Sequence, residues 1–357
     1  MPSLNIYAAA VIYISGDEMF ARISARRYGK IFAAAFAAVC FGLMLIFPEG
    51  CKKGAAEGLE LCLSVLIPSL FPFMAAAGLV VKLGLCRLGG KRFPLLPVVL
   101  LSLIGGYPVG AATAAEMYRS GQLTEKQAKT AVYCLVCAGP GFLLGFVGGI
   151  YGSESVGLTI YAAQAASAVL FTAATNILNK NNNTPSAHVR FTPPPFGTAL
   201  VESAHGAAVS MVSIGGLAVL FGAFGGILDA VIQNVEVRRY LCSSLEVCTA
   251  VKLLGSRPVE LCAFAVGFGG ICVHFQIFAS LGELKINRAL FFFIRILQGL
   301  VTALLTHAGL RLFVREAAVF STSAAEKPGF YGGSALSGAA LLTVTVCFLL
   351  TLRNYRR

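Results

Sequence analysis

Apolar stretches long enough to cross a bilayer follow one another along this chain, at 31–47, roughly 59–85, 93–117, 128–151, 156–178, 207–232, 261–279, 289–312 and 335–352. A helix needs about 20 apolar residues to cross the hydrocarbon layer. Only 12% of the residues are charged and 57% are hydrophobic, whereas a soluble domain carries about 25% charged residues. No aqueous fold hides that much apolar surface, so lipid is the solvent. The alternating segments of about ten residues that build an outer-membrane barrel are absent. The expected fold is an all-α polytopic membrane protein with about 8–10 membrane segments.

Between the runs lie basic clusters: Arg22, Arg26, Arg27 and Lys30; Lys82, Arg87, Lys91 and Arg92; Arg353, Arg356 and Arg357. With a net charge of +12, they read as loops facing anionic headgroups. Membrane lipid is thus an expected partner. Nucleic acid is not, because no soluble basic domain is present. The clusters leave the orientation of the chain in the membrane open. Residues 1–29 form a basic leader, and MFARISARRYGK makes Met19 an alternative start of translation.

The most polar stretch, NKNNNTPSAHVRFTPPP, lies in a linker at 179–197. It separates a first membrane half, 30–178, from a second, 198–312; a loop and a final membrane helix occupy 313–357. Cys40, Cys51 and Cys62 recur at a spacing of 11, but Pro48 and Gly50 interrupt any single helix joining them. Cys134 and Cys137 have C-x-x-C spacing without the further Cys or His of a zinc site, so the cysteines read as small apolar fillers.

The two halves echo each other. IGGYPVGAATAAEMYRSGQLTEKQA (104–128) and FGGICVHFQIFASLGELKINRA (268–289) align Gly105-Gly106 with Gly269-Gly270, Val109 with Val273, and Gly121 with Gly282 after a three-residue deletion. Pro108 removes a backbone donor, and paired glycines admit angles that other residues avoid. Gly139-Pro140-Gly141 interrupts another run, and Pro68 and Pro72 are expected to kink an earlier one. Unpaired backbone in hydrocarbon costs several kcal/mol per group, so each break must lie inside protein or against water. Paired breaks in two halves are the pattern of carriers with discontinuous helices, and helix N-termini freed at a break can hold anionic or polar solutes.

Gly105, Gly106, Tyr107, Pro108, Gly110, Gly139, Pro140, Gly269 and Gly270 are therefore the candidate gating backbone. Glu246, His274 and Gln276 are the candidate polar contacts. For Glu246 and Glu260 the alternative is pairing with Lys252 or Arg257. For His274 it is a buried interhelical hydrogen bond. Glu116 is read as an interfacial end residue rather than a coupling carboxylate, and Arg295 as a cation snorkelling to the headgroups. No nucleophile–base pair, metal motif, P-loop or dinucleotide fingerprint occurs. Neither an enzyme nor a bound cofactor is expected.

Taken in order, IPSLFPF, GGYPVGA with GQLTEKQA, AGPGF, SSLEV and GFGGICVHFQ resemble the YlbJ-type sporulation integral membrane proteins. These fall in the nucleoside-recognition (Gate) domain group. The resemblance covers roughly residues 60–310. It implies a multi-pass protein of the bacterial inner membrane, in the forespore or mother cell, needed for the spore envelope and cortex. It also implies distant kinship with nucleoside carriers that use re-entrant hairpins. Two positions depart from the family pattern: Val136-Cys137 stand where a polar amide is usual, and Cys272 where a serine is expected. The function implied is a gated carrier for a small polar, nucleoside-like solute. The alternative is a non-transporting scaffold for spore cortex or envelope assembly, whose partners would be other sporulation membrane proteins or a second copy of the chain.

Overall fold

A computed structural model describes residues 31, 34–85, 94–178 and 193–313. The basic leader, most of the 82–92 loop, most of the polar linker and the expected final helix at 335–352 lie outside the described residues. Every regular element among them is helical. In chain order these are α1 (Ala34–Ile46), α2 (Pro48–Leu61), α3 (Ile67–Lys82), α4 (Leu96–Gly105), α5 (Tyr107–Arg119) and α6 (Glu125–Cys134). Then follow α7 (Gly141–Ile150), α8 (Glu154–Leu178), α9 (Phe196–Val231), α10 (Val235–Leu245), α11 (Val247–Leu254), α12 (Val259–Phe268), α13 (Gly270–Ser280) and α14 (Arg288–Phe313).

Among the described residues, four helical stretches are long and apolar enough to cross a membrane: α8, α9, α12 with α13, and α14. A fifth is the pair α1–α2, bent by 100° at Phe47 and Pro48, where the sequence places a break. Shorter apolar helices at Leu70–Lys82, Leu96–Gly105 and Gly141–Ile150 make up further apolar mass without a full crossing each. The chain is a multi-pass helical membrane protein.

The longest contact joins α2 and α3 to α9. A wide turn at Cys62–Leu66 links α2 to α3, and Pro72 sits inside α3, so the expected disturbance lies mainly upstream of Pro68. The two strands of helix run antiparallel: Gly54 meets Gly226, Gly58 meets Ala218, and Lys82 pairs with Glu202 at 2.6 Å. A Cβ on Gly54 would lie 2.8 Å from the Gly226 nitrogen, and one on Gly58 would lie 3.1 Å from the Ala218 carbonyl carbon. Small residues at four-residue spacing let two backbones touch, which in lipid replaces the hydrophobic driving force. Farther along, Met74 and Ala77 pack with Ala207, Met211 and Ile214. The sequence places a span at 207–232; the helix is longer, starts within the expected linker and runs for 36 residues.

The other helices build a second body around α14, which packs against α8 and α12. The face of α14 turned inward is polar: Arg295 is 1% exposed, Gln298 3%, and Thr302 and Thr306 are fully buried. Such a stripe inside a membrane helix marks a functional region by default.

Candidate functional site

At Gly105 and Gly106 the helical backbone stops. Gly106 has φ 90° and ψ −175°, a region open almost solely to glycine. Beyond it the chain folds back. A Cβ on Gly110 would lie 2.6 Å from the Ser102 Cβ, although residues eight apart in a straight helix stand about 12 Å apart. α4 and α5 are thus the two limbs of a re-entrant hairpin. Gly106 also abuts the unwound stretch that follows α6: a Cβ on Gly106 would sit 3.3 Å from the Gly139 nitrogen.

The second break lies between α12 and α13. Gly269 is left-handed, with φ 90° and ψ −7°, and Gly270 has φ 73°. It abuts a further interruption that the sequence reading did not identify as one, between α10 and α11 at Glu246. A Cβ on Gly270 would lie 3.0 Å from the Val247 nitrogen and 3.3 Å from the Glu246 Cα. Glu246 is buried, and its carboxylate accepts from the Cys248 and Thr249 backbone N–H groups at 2.9 and 2.7 Å. Its immediate role is an N-cap for α11.

The two breaks meet. Tyr107, at the start of α5, donates its hydroxyl to the Val266 carbonyl of α12 at 2.6 Å, and α5 packs against α13. Gln164 of α8 spans the same junction. Its Oε1 accepts from the Ala138 N–H at 2.9 Å, and its Nε2 donates to the Val266 carbonyl at 3.4 Å.

Arg295 fills the centre. Its Nε donates to the Phe268 carbonyl at 3.2 Å, and Nη1 donates to the Val136 carbonyl and to Gln298 Oε1, both at 2.7 Å. Nη2 donates to the Gly267 carbonyl. Gln298 in turn donates to the Cys134 carbonyl at 2.8 Å. The expectation that Arg295 snorkels to the headgroups is wrong. Its reach is spent inward, because three carbonyls freed by the breaks lie within it.

These bonds account for the end of α12 in full. A helix leaves its last four carbonyls without intrahelical partners. Here Ala265 accepts from the Gly269 N–H, Val266 from Tyr107 and Gln164, Gly267 from Arg295, and Phe268 from Arg295 and from His274. The carbonyls in and after α6 and α4 are covered likewise: Leu135 by Ser102 and Leu103 by Tyr161 at 3.1 Å. By contrast, the N-termini of α5 and α13 carry no side-chain cap, so the partial positive ends of two half-helices face the junction.

His274 is fully buried. Its Nε2 bonds the Phe268 carbonyl at 2.8 Å, and the Phe268, Phe291 and Phe292 rings surround the imidazole edge to face, 4.6–5.2 Å away. Its Nδ1 has no partner among the described residues. Gln276 is buried and donates to Cys272 Sγ at 3.3 Å. Pro108 and Gly110 are buried in the hairpin, and Pro140 opens α7.

The expected partners of the second-half acids are also corrected. Glu260 pairs with His307 at 2.6 Å, and Arg257 with Glu236. Glu116 pairs with Arg119 three residues on, in keeping with its reading as a helix-end residue. The sequence reading missed Ser102, Tyr161, Gln164 and Gln298. The available signal was a lone amide in otherwise apolar helix, in AAQAAS and ILQGL, where buried amides act as interhelical glue.

No family model and no solved structure matches the chain. Among curated proteins it is similar to the "Sporulation integral membrane protein YlbJ" of Bacillus subtilis (strain 168), at 21% identity over 338 residues, covering 78% of this chain and 82% of that protein. The chain is thus a multi-pass membrane protein with distant similarity, along most of its length, to an integral membrane protein of sporulation.

Proposed function

We propose that this protein is a sporulation-associated carrier of the bacterial inner membrane, gated where its broken helices meet, for a small polar solute. The observation that carries the reading is the junction of two half-helix starts, α5 and α13, with no side-chain caps, beside a buried cation and a buried imidazole. Interrupted helices from two parts of a chain, converging on one point, are how carriers expose backbone to a solute inside the bilayer. The uncapped N–H groups suit acceptor-rich solutes such as nucleosides or carboxylates. The tie to sporulation rests on the similarity to the Bacillus protein. The chain does its work by binding and release rather than by bond chemistry.

Uptake into proteoliposomes tests this. Wild-type protein is expected to accumulate a polar solute from a panel of nucleosides, amino acids and organic anions, and Pro108→Ala, Glu246→Gln and His274→Phe each to reduce it at least tenfold. Uptake equal to empty liposomes across the panel overturns the reading. A scaffold is the second reading, favoured by one observation: the carbonyls freed at the α12 end are all taken by donors of the protein itself, as a static junction would require. It predicts that the same variants leave cross-linked envelope partners unchanged.

A further inference from the structure

We propose that the Arg295 guanidinium is a tethered cation, occupying the oxygen cage in which broken-helix carriers hold a coupling ion, so that this chain works without sodium or potassium. The ion-coupling part rests on the carrier reading; the cage stands on geometry. The four acceptors around Arg295 are all neutral oxygens: the carbonyls of Gly267 and Phe268 at the end of α12, that of Val136 in the unwound stretch after α6, and Gln298 Oε1. Carbonyls of unwound backbone and of half-helix C-termini are the oxygens that coordinate alkali cations in such carriers.

Among the described residues no carboxylate bonds to Arg295, which is 1% exposed. What faces its charge is the negative end of α12 and the carbonyls released where α6 unwinds. A lone guanidinium at this position behaves as a metal ion would, with two differences. It cannot dissociate, and it keeps its charge at every working pH. A free cation entering the same oxygens would meet a fixed like charge. The site is therefore filled permanently from within, and the oxygens stay arranged whichever salt surrounds the membrane.

The test uses thermal unfolding of the purified full chain in detergent, in choline, potassium and sodium chloride at matched ionic strength. The wild-type midpoint is expected to be the same in all three. Arg295→Ala and Arg295→Gln are expected to unfold at lower temperature in choline, and to regain part of the loss saturably with sodium, potassium or millimolar guanidinium. Arg295→Lys is expected to fall between and to ignore the added cation. A wild-type midpoint that rises saturably with sodium or potassium overturns the proposal, as do neutral variants that no cation restores. Should neither neutral variant be recoverable from membranes, indifference of both wild type and Arg295→Lys to sodium and potassium is the required result, and a response by either refutes it. Uptake plays no part in this measurement. A protein that carries nothing can pass it, and a sodium-driven carrier fails it.

Discussion

At Gly106 the chain turns back on itself, whereas at Gly269 and Gly270 it carries on, so that α12 and α13 still make one 22-residue apolar span. Both breaks use a glycine at φ 90° within aligned Gly-Gly pairs, the second glycine of the first pair and the first glycine of the second. The difference lies in ψ, −175° at Gly106 against −7° at Gly269. The first angle is extended and reverses the helix into a hairpin; the second is left-handed and displaces the helix. A third pair, Gly225-Gly226, sits in α9 without interrupting it. Glycine permits a break, then, but the surroundings decide whether one forms and of which kind. At the end of α12 the freed carbonyls have donors waiting in Arg295, Tyr107 and Gln164, and beside the first break Tyr161 covers Leu103. In α9 Gly226, with Gly222 one turn before it, serves close contact with α2 instead.

Substitutions can separate these roles, read as unfolding free energies in detergent. The largest effect is expected for Arg295→Met, which strips the donor from the Gly267 carbonyl at the end of α12 and from Val136 after α6, and leaves Phe268 to His274 alone; each buried group left unsatisfied costs about 1–3 kcal/mol. Next comes Gly110→Val, which forces the hairpin limbs apart at Ser102 and is expected to cost about 1–3 kcal/mol by overpacking. It leaves α12–α13 untouched, so it should lower stability without altering cross-links placed across the second break. The comparison itself is sharpest with asparagine. Gly106→Asn enters a region almost closed to side chains and is expected to cost about 1–3 kcal/mol. Gly269→Asn enters the left-handed region that asparagine visits readily and is expected to cost about 1 kcal/mol or less. Equal costs would show that the two breaks are not distinct backbone states. The smallest effect belongs to Gly225→Ala. Its new Cβ meets nothing within 4 Å, and the gain in helix propensity makes it neutral or stabilising by up to about 1 kcal/mol.

The places where the backbone departs from helix were legible, because glycine and proline announce their allowed angles locally. Gly105 to Pro108, Gly139 to Gly141 and Gly269 with Gly270 were all read from the sequence. The membrane class was legible for the same reason, since apolar length is a local property. The side chains that make the breaks tolerable were not. Arg295 lies in FFFIRILQ, where nothing nearby says that Gly267, Phe268 and Val136 point carbonyls at it from 28, 27 and 159 residues away. Local reading could only weigh it against the headgroups and assigned it outward. Glu246 was singled out as an acid, but its capping of α11 depended on a break after Leu245 that carries no glycine or proline. The glycine contacts between α2 and α9 went unread for a similar reason. Gly50, Gly54 and Gly58 lie among charged residues, in the segment between the apolar runs at 31–47 and 59–85.

The length of α9 has a mechanical consequence. Thirty-six residues rise about 54 Å, and even at a tilt of 40°, the steep end for membrane helices, they project about 41 Å along the bilayer normal against a hydrocarbon depth of about 30 Å. The surplus lies mainly at the start of the rod, where Glu202, paired with Lys82 at 2.6 Å, and exposed His205 suit headgroups and water rather than acyl chains. The first turns of α9 thus act as a handle outside the hydrocarbon, holding the end of α3 through the Lys82–Glu202 pair.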